Sequence, residues 1–283
     1  MTALCAHMLV DRGQLDLDAL VARYWPEFAQ AGKARIPVHM LLSHRAGLPA
    51  VREPLPPEAL YDWPRMVAAL ERQEPWWEPG SMHGYHSRTF GWLVGELIRR
   101  VDGRSVGTFF RQEVAEPLGV DFHIGLAAEQ DARVAEVPLE GQRGAAPLRR
   151  LLERQPAYVK LSGSNPKPVR DAVNTRAWRA AELPAGGGHG NARALARVYG
   201  ALACGGTLEG VRLLSPEAIA RATVEQSNGR DAVVGIDLRF GVGFILPQPQ
   251  FGDLWGERAF GHAGAGGGSA TPTRTGGWGS GTR

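Results

Sequence analysis

The chain has 283 residues, of which 43% are hydrophobic and 22% are charged, a composition typical of a globular protein with a large core. Its formal net charge of only +3 and the lack of a basic run argue against a nucleic-acid partner. No stretch of about 18 apolar residues occurs, and the N-terminal residues do not resemble a signal peptide. We therefore expect a cytoplasmic protein with no membrane partner.

Apolar residues at helical spacing predict most of the elements, beginning with a helix over residues 1–10 that has no N-cap. Ser105, Asn191 and Ser215 are predicted to begin three later helices. Alternating residues over 232–247 predict strands, and the polar, proline-rich stretch 140–170 predicts an irregular excursion. The further helices are predicted over 37–43, 60–72, 89–101, 104–118 and 192–203.

The last twenty residues, 264–283, have a different composition from the rest of the chain. They contain Gly, Thr, Ser, Ala, Arg, Pro and one Trp, and no Val, Ile, Leu, Phe or Tyr. Such a segment buries too little apolar surface to offset its ordering entropy. We predict a tail without strands, separate from a domain over residues 1–263.

Five segments occur in the order that is typical of one enzyme family, the serine β-lactamase-like hydrolases. This family groups class C β-lactamases, penicillin-binding DD-peptidases and related carboxylesterases, and the segments resemble the carboxylesterase-like branch most closely. The first resembles its G-x-L-x-L-D-D stretch, the second its LLTHTSGLP segment, the third its P-G-x-x-x-x-Y-x-N/S segment, and the last its H-x-G variant of K-T-G. In this sequence they are 12–18 (RGQLDLD), 41–49 (LLSHRAGLP), 79–87 (PGSMHGYHS), 188–192 (GHGNA) and 260–264 (FGHAG).

The resemblance implies an α/β (α+β) sandwich, in which an antiparallel sheet is flanked by helices and a helical lobe closes a cleft. It implies that Tyr85 and Ser87 match the family's tyrosine motif, with Ser87 in place of the more usual asparagine, and that His262 and Gly264 match its third motif. The implied reaction is acyl transfer to a serine followed by hydrolysis of a small ester or amide, such as a β-lactam or a D-Ala peptide. In the family a lysine cation beside the tyrosine lowers the pKa of the phenol. No metal or organic cofactor is implied.

Histidines outside these motifs are assigned other roles. His44 is predicted to have a structural role at a helix end. His83, His86 and His189 are candidates for the cleft wall, but their spacing does not indicate a metal site. Two cysteines, Cys5 and Cys204, likewise form neither a metal spacing nor a disulfide framework.

The family's Ser-x-x-Lys motif, which supplies nucleophile and base, is missing from its expected place ahead of the first helix. Its one literal match is Ser164-Asn165-Pro166-Lys167, which we reject because Pro166 and Pro168 are incompatible with a helix interior. We therefore expect that the nucleophile, the lysine and the first strands lie upstream of Met1. We also expect a frameshift near residues 266–269, because a shifted reading frame of the tail is compatible with an apolar, alternating strand.

Two alternatives to an active hydrolase follow from the sequence. The chain is a catalytically inactive fragment or pseudoenzyme if the serine and lysine are truly missing. It is an unrelated helical binding module if the ordered motifs are a coincidence. The first alternative predicts poor solubility and low stability, because sheet edges and apolar faces would be exposed.

Overall fold

The structure is a computed structural model that describes residues 1–138, 155–248, 256–264, 269–272 and 279–282. Short 3-10 turns connect several of its elements. The helices are α1 (Thr2–Asp11), α2 (Val38–Leu42), α3 (Trp63–Arg72), α4 (Thr89–Asp102), α5 (Val106–Phe110), α6 (Glu116–Leu118), α7 (Ala157–Ser162), α8 (Arg176–Ala180), α9 (Ala192–Ala203) and α10 (Pro216–Ala222). The strands are β1 (Phe122–Ile124), β2 (Gly188–Gly190), β3 (Thr207–Leu208), β4 (Val211–Arg212), β5 (Ser227–Arg230), β6 (Asp237–Phe240), β7 (His262–Ala263), β8 (Ser269–Pro272) and β9 (Gly279–Thr282).

Helix α1 is a central element of the core. All its residues from Thr2 to Val10 are buried, which explains why the segment is apolar on every side. It packs against α4, α5 and α10. At Gly243, with φ of +84°, a Cβ atom would lie 2.5 Å from the Cβ of Ala3. Glycine therefore allows the first turn of α1 to approach the chain at this point.

The strands pair antiparallel, and the longest series is the sheet β7-β8-β9. His262 pairs with Ala270, and Ser269 pairs with Thr282. The prediction of a tail without strands is therefore wrong, because residues 269–272 and 279–282 are strands and α9 lies against both. Strand pairing satisfies backbone N–H and C=O groups whatever the side chains are. The frameshift and the boundary after residue 263 remain predictions.

Other sequence-based elements differ from the structure in a few places. The predicted strand region 232–247 contains one strand, β6, whereas residues 231–236 form the turn of the β5–β6 hairpin and β5 was not predicted. Local alternation does not separate a turn from its flanking strands when the turn itself contains Val and Ile. The predicted excursion 140–170 lies partly outside the described residues, and its later part contains α7. The side chains of Ser105, Asn191 and Ser215 cap helices as predicted.

The literal Ser-x-x-Lys match lies outside any helix. Helix α7 ends at Ser162, and both Ser164 and Lys167 are exposed in the irregular segment that follows. The hydroxyl of Ser164 donates to the carbonyl of Lys160 at 2.6 Å. These positions agree with the rejection of this match, because no helical face aligns the serine with the lysine.

Glu96 on α4 joins two helices through a buried charge network. Its carboxylate is fully buried and accepts hydrogen bonds from Trp63 of α3 at 2.8 Å and from Arg99 and Arg100 at 2.6–2.8 Å. Burial alone would raise the pKa of Glu96, but the bonds from Arg99, Arg100 and Trp63 outweigh it and lower the pKa below its ordinary value of 4.5. The anionic form therefore stabilises the fold.

A pH dependence of stability follows from Glu96. Because its pKa is lower in the folded state, its stabilising effect is present above pH 4.5 and is lost as the pH falls through the folded-state value. We expect Glu96→Gln to lower the free energy of unfolding at pH 7 by about 2 kcal/mol, and the difference from the original chain to shrink at pH 3. Urea unfolding at both pH values measures this. The exposed Glu58→Gln is the control, and a Glu96→Gln effect that does not change with pH would contradict the assignment.

Candidate active site

One cavity of about 330 Å³ is lined by all four predicted site residues. Tyr85 and Ser87 precede α4, whereas His262 and Gly264 come from β7 and the residue after it. The fold thus brings together two segments that are 177 residues apart in sequence. Sequence order alone did not establish this contact.

Tyr85 and His262 form a hydrogen bond across the cavity. The Tyr85 hydroxyl lies 3.3 Å from Nε2 of His262, and Nδ1 of His262 lies 2.7 Å from the carbonyl oxygen of Ala263. A carbonyl oxygen only accepts, so Nδ1 carries the proton of the neutral ring. Nε2 is then an acceptor, and the phenol of Tyr85 donates to it.

The electrostatic environment keeps both partners neutral. Burial, and to a smaller extent the charge of Asp231, raises the pKa of Tyr85 to about 12. Burial also lowers the pKa of His262, although the bond to the Ala263 carbonyl opposes this shift. The family resemblance implied a lowered pKa for the tyrosine beside a lysine cation, but no lysine lines this cavity among the described residues. At neutral pH Tyr85 is therefore a proton donor.

Ser87 lies in the same wall, and its hydroxyl is near the end of α7. Its Oγ lies 3.4 Å from the carbonyl oxygen of Ser162 at the end of α7, and its backbone N–H donates to the Tyr85 carbonyl. No basic side chain is hydrogen-bonded to its hydroxyl in the described part of the chain.

Two buried histidines hold the segment that carries Tyr85. His44 follows α2 with φ of +60°, and its Nδ1 accepts from the backbone N–H of His86 at 3.2 Å. The ring of His86 accepts from the Leu48 N–H at 2.9 Å and donates to the Gly84 carbonyl at 2.6 Å. Burial lowers the pKa of His86 to about 4. His44 lies just after the end of α2, and both His44 and His86 line the cavity, whereas His83 and His189 do not belong to its described lining.

The rest of the cavity wall is mainly apolar. Its largest side chains come from α4, β1, α9 and the turn after β6. They are Phe90, Phe122, Ile124, Leu195, Tyr199 and Phe244. Met1 and the first two residues of α1, Thr2 and Ala3, line the cavity as well. Such a pocket, apolar with a few polar groups, is typical of a small-molecule site.

The described residues contain no helix long and apolar enough to cross a bilayer. They also contain no group of three or more His, Cys, Asp or Glu side chains placed to hold a metal ion.

Comparison with known proteins agrees with the fold and the motif order. A sequence model of the family described as Beta-lactamase matches residues 1–276. The esterase/beta-lactamase LipL of Mycobacterium tuberculosis is 34% identical over 287 aligned residues, which cover 94% of this chain and 62% of LipL. The chain therefore spans about three-fifths of the length of this curated relative.

Solved structures show the same similarity in three dimensions. A family VIII carboxylesterase is 41% identical with a TM-score of 0.89, and the match covers 99% of this chain and 73% of that one. A penicillin-binding protein homologue from Caulobacter crescentus is 39% identical with a TM-score of 0.88, with the same coverage. The predicted fold is confirmed, and the chain belongs to the Beta-lactamase family of hydrolases.

Proposed function

We propose that this chain forms the substrate pocket and the proton-donating half of a serine hydrolase that cleaves small carboxylic esters through an acyl-enzyme. The observation that supports this proposal is the hydrogen bond from Tyr85 to His262 inside a largely apolar cavity. A neutral phenol that is held in place by a neutral imidazole is suited to donate its proton to a substrate atom at a defined position.

Tyr85 would act when the tetrahedral intermediate breaks down. The bond between the acyl carbon and the leaving oxygen breaks, and the leaving oxygen takes the phenolic proton of Tyr85. The resulting phenolate regains a proton from the base that accepted the proton of the nucleophile. His262 orients the phenol between these events, because its Nε2 accepts from the hydroxyl. Gly264 leaves space for the substrate at the end of β7.

The nucleophile and its base are proposed to lie outside residues 1–283. Among the 283 residues, Ser-x-x-Lys occurs once, at 164–167, which is outside any helix. The N-terminal end of α1 lines the cavity beside Tyr85 and His262, so residues directly ahead of Met1 would reach the same space. A helix with serine and lysine three residues apart would present both on one face.

An ester is favoured over an amide by two observations. The cavity wall is mainly aromatic and aliphatic, which suits an apolar acyl or alcohol group. Similar proteins include one described as a family VIII carboxylesterase and one as an esterase/beta-lactamase. Cleavage of a β-lactam is the second candidate, because the latter description and the penicillin-binding homologue point to it.

The proposal is tested by sequencing the locus ahead of Met1 and by assaying the protein encoded there on p-nitrophenyl esters, a cephalosporin and a D-alanyl amide. We expect an in-frame Ser-x-x-Lys and fastest turnover of the esters. Fastest turnover of the cephalosporin would favour the second candidate. Stop codons, or binding without turnover on every substrate, would instead identify an inactive remnant of the family.

A larger side chain at Gly186 is expected to affect long-chain esters more than short-chain esters. This residue lines the cavity, and a Cβ atom there would meet no atom within 4 Å. We expect Gly186→Val to narrow the pocket and lower kcat/KM about tenfold for a hexanoate ester, with a much smaller change for the acetate. Gly163→Val is the control, because Gly163 has equal space but is exposed after α7. Equal losses for both esters would show that Gly186 does not border the acyl group.

A further inference from the structure

A buried histidine and a buried aspartate face each other behind Tyr85. His83 is 6% exposed and Asp231 is 1% exposed. Nε2 of His83 lies 4.0 Å from Oδ2 of Asp231, and neither atom has a hydrogen-bond partner among the described residues. Buried polar atoms are nearly always paired, so this juxtaposition requires an explanation.

The second carboxylate oxygen of Asp231 is already hydrogen-bonded. Oδ1 of Asp231 accepts from the backbone N–H groups of Val233 and Val234 at 2.8 and 2.9 Å. The backbone of Gly229 favours the protonated form of the His83 ring, and Nε2 is the ring nitrogen that faces Asp231 without a partner among the described residues. A neutral ring with its proton on Nδ1 directs the lone pair of Nε2 towards a carboxylate oxygen. One added proton changes this repulsive contact into a hydrogen bond between opposite charges.

The pair is in contact with the segment that carries Tyr85. The N–H of Ala232, next to Asp231, donates to the carbonyl of His83 at 3.1 Å. Phe240 of β6 has its ring parallel to that of Tyr85, with centroids 6.4 Å apart, and it meets the ring of His83 edge-on at 5.8 Å. Tyr85 therefore packs against a ring that also contacts His83.

We propose that His83 and Asp231 are a proton-accepting pair that positions Tyr85. When His83 takes up a proton from solvent, Nε2–H donates to Oδ2 of Asp231, and the hairpin turn 231–236 is drawn against the segment 83–85. The new cation also screens the Asp231 charge from the phenol. This inference builds on the proposed function of Tyr85, but the pair itself is testable without substrate.

The direction of the pH response follows from the surroundings of His83. Burial lowers the pKa of His83, and the Asp231 carboxylate and the Gly229 backbone oppose that shift. The charge of Arg45 also lowers the pKa of His83, whereas His44 stays neutral because burial lowers its own pKa well below the ordinary value. The pair is thus closed at acidic pH and open at neutral pH. Because the charge of Asp231 raises the pKa of Tyr85, closure makes the phenol easier to ionise.

The test is a histidine NMR titration of the protein, with His83→Gln used to assign the resonances. In the unsubstituted protein, the ¹⁵N shifts of His83 are expected to show the Nδ1–H form above its titration midpoint. Asp231→Asn is expected to lower the midpoint by about 1 pH unit or more, a tenfold loss of proton affinity. Asp237→Asn, an exposed aspartate on the same hairpin, is expected to shift it by less than about 0.3 unit.

Two outcomes would overturn the inference. One is an unchanged His83 midpoint in Asp231→Asn. The other is an Nε2–H tautomer in the unsubstituted protein, which decides the question even if Asp231→Asn fails to fold. In a protein that turns over esters, Asp231→Asn should also move the alkaline limb of the kcat/KM profile to lower pH. A lack of turnover would argue against the proposed function and leave the titration result intact.

Discussion

Replacing Tyr85 with phenylalanine is expected to lower kcat/KM for ester hydrolysis by about 10²–10⁴-fold, the usual contribution of a positioned general acid. Phenylalanine keeps the ring that lies parallel to Phe240, so folding should be preserved. It removes the phenolic proton that is directed at Nε2 of His262. We expect KM to change little, because the lost interaction belongs to the transition state.

A second tyrosine of the cavity provides the matched control for this variant. Tyr199 on α9 also lines the cavity, and burial raises its pKa to about 12 as well. If the contribution of Tyr85 to catalysis depends on its position beside His262 and not on its burial, Tyr199→Phe should lower kcat/KM by no more than about threefold. Equal losses in both variants would show that Tyr85 contributes only packing. Loss of activity in Tyr85→Phe with a lowered unfolding midpoint would point to a folding defect instead.

The pH profile provides an independent check on the same pair. The pKa of His262 is lowered by burial, so its Nε2 remains an acceptor down to pH values below the ordinary 6.5 of histidine. Because the pKa of Tyr85 is about 12, the phenol remains protonated through the neutral and mildly alkaline range. We expect the activity that depends on this pair to fall only below pH 6.5, when protonated His262 stops accepting from Tyr85. A decline that begins between pH 7 and 9 would contradict the assignment of Tyr85 as the donor.

Replacing Lys33 with methionine is expected to destabilise the fold by about 3–5 kcal/mol, which is large compared with the typical stability of a domain. Lys33 is fully buried. Its ammonium group donates to the carbonyl oxygens of Gln30, Glu71 and Gln73 at 2.8, 2.8 and 2.5 Å. Two of these carbonyls belong to the C-terminal end of α3, where the helix leaves acceptors without intrahelical donors. Burial lowers the pKa of Lys33 to about 8, so the group is still mainly cationic at pH 7.

Urea unfolding of Lys33→Met at pH 7 measures this effect. Methionine fills the space of the lysine stem but leaves three buried acceptors without a donor, and each charge-assisted bond is worth about 1.5–3 kcal/mol. Lys160→Met is the control, because Lys160 is exposed on α7 and should change stability by less than about 0.5 kcal/mol. A similar small change for Lys33→Met would mean that solvent or a shifted side chain satisfies the three carbonyls.

Much of the local structure and the family could be predicted from the sequence. The N-termini of three helices, at Ser105, Asn191 and Ser215, are encoded locally, because the capping side chain accepts from an N–H group only three residues further along the chain. The order of five short motifs identified the family, and the fold could be predicted from the family. The candidates Tyr85 and His262 came from the same motifs.

Only the tertiary structure decided how these residues act on one another. The Tyr85–His262 bond joins positions 177 residues apart, and the burial that keeps Tyr85 neutral comes from surrounding elements. Asp231 carried no signal in sequence, because an aspartate in a hairpin turn is ordinary. Its importance arises from the distance to His83, which the packing of the hairpin sets. Strands in the last twenty residues were likewise missed, because composition reports side-chain burial, whereas the backbone pairing of β7, β8 and β9, which lie against α9, does not depend on apolar side chains.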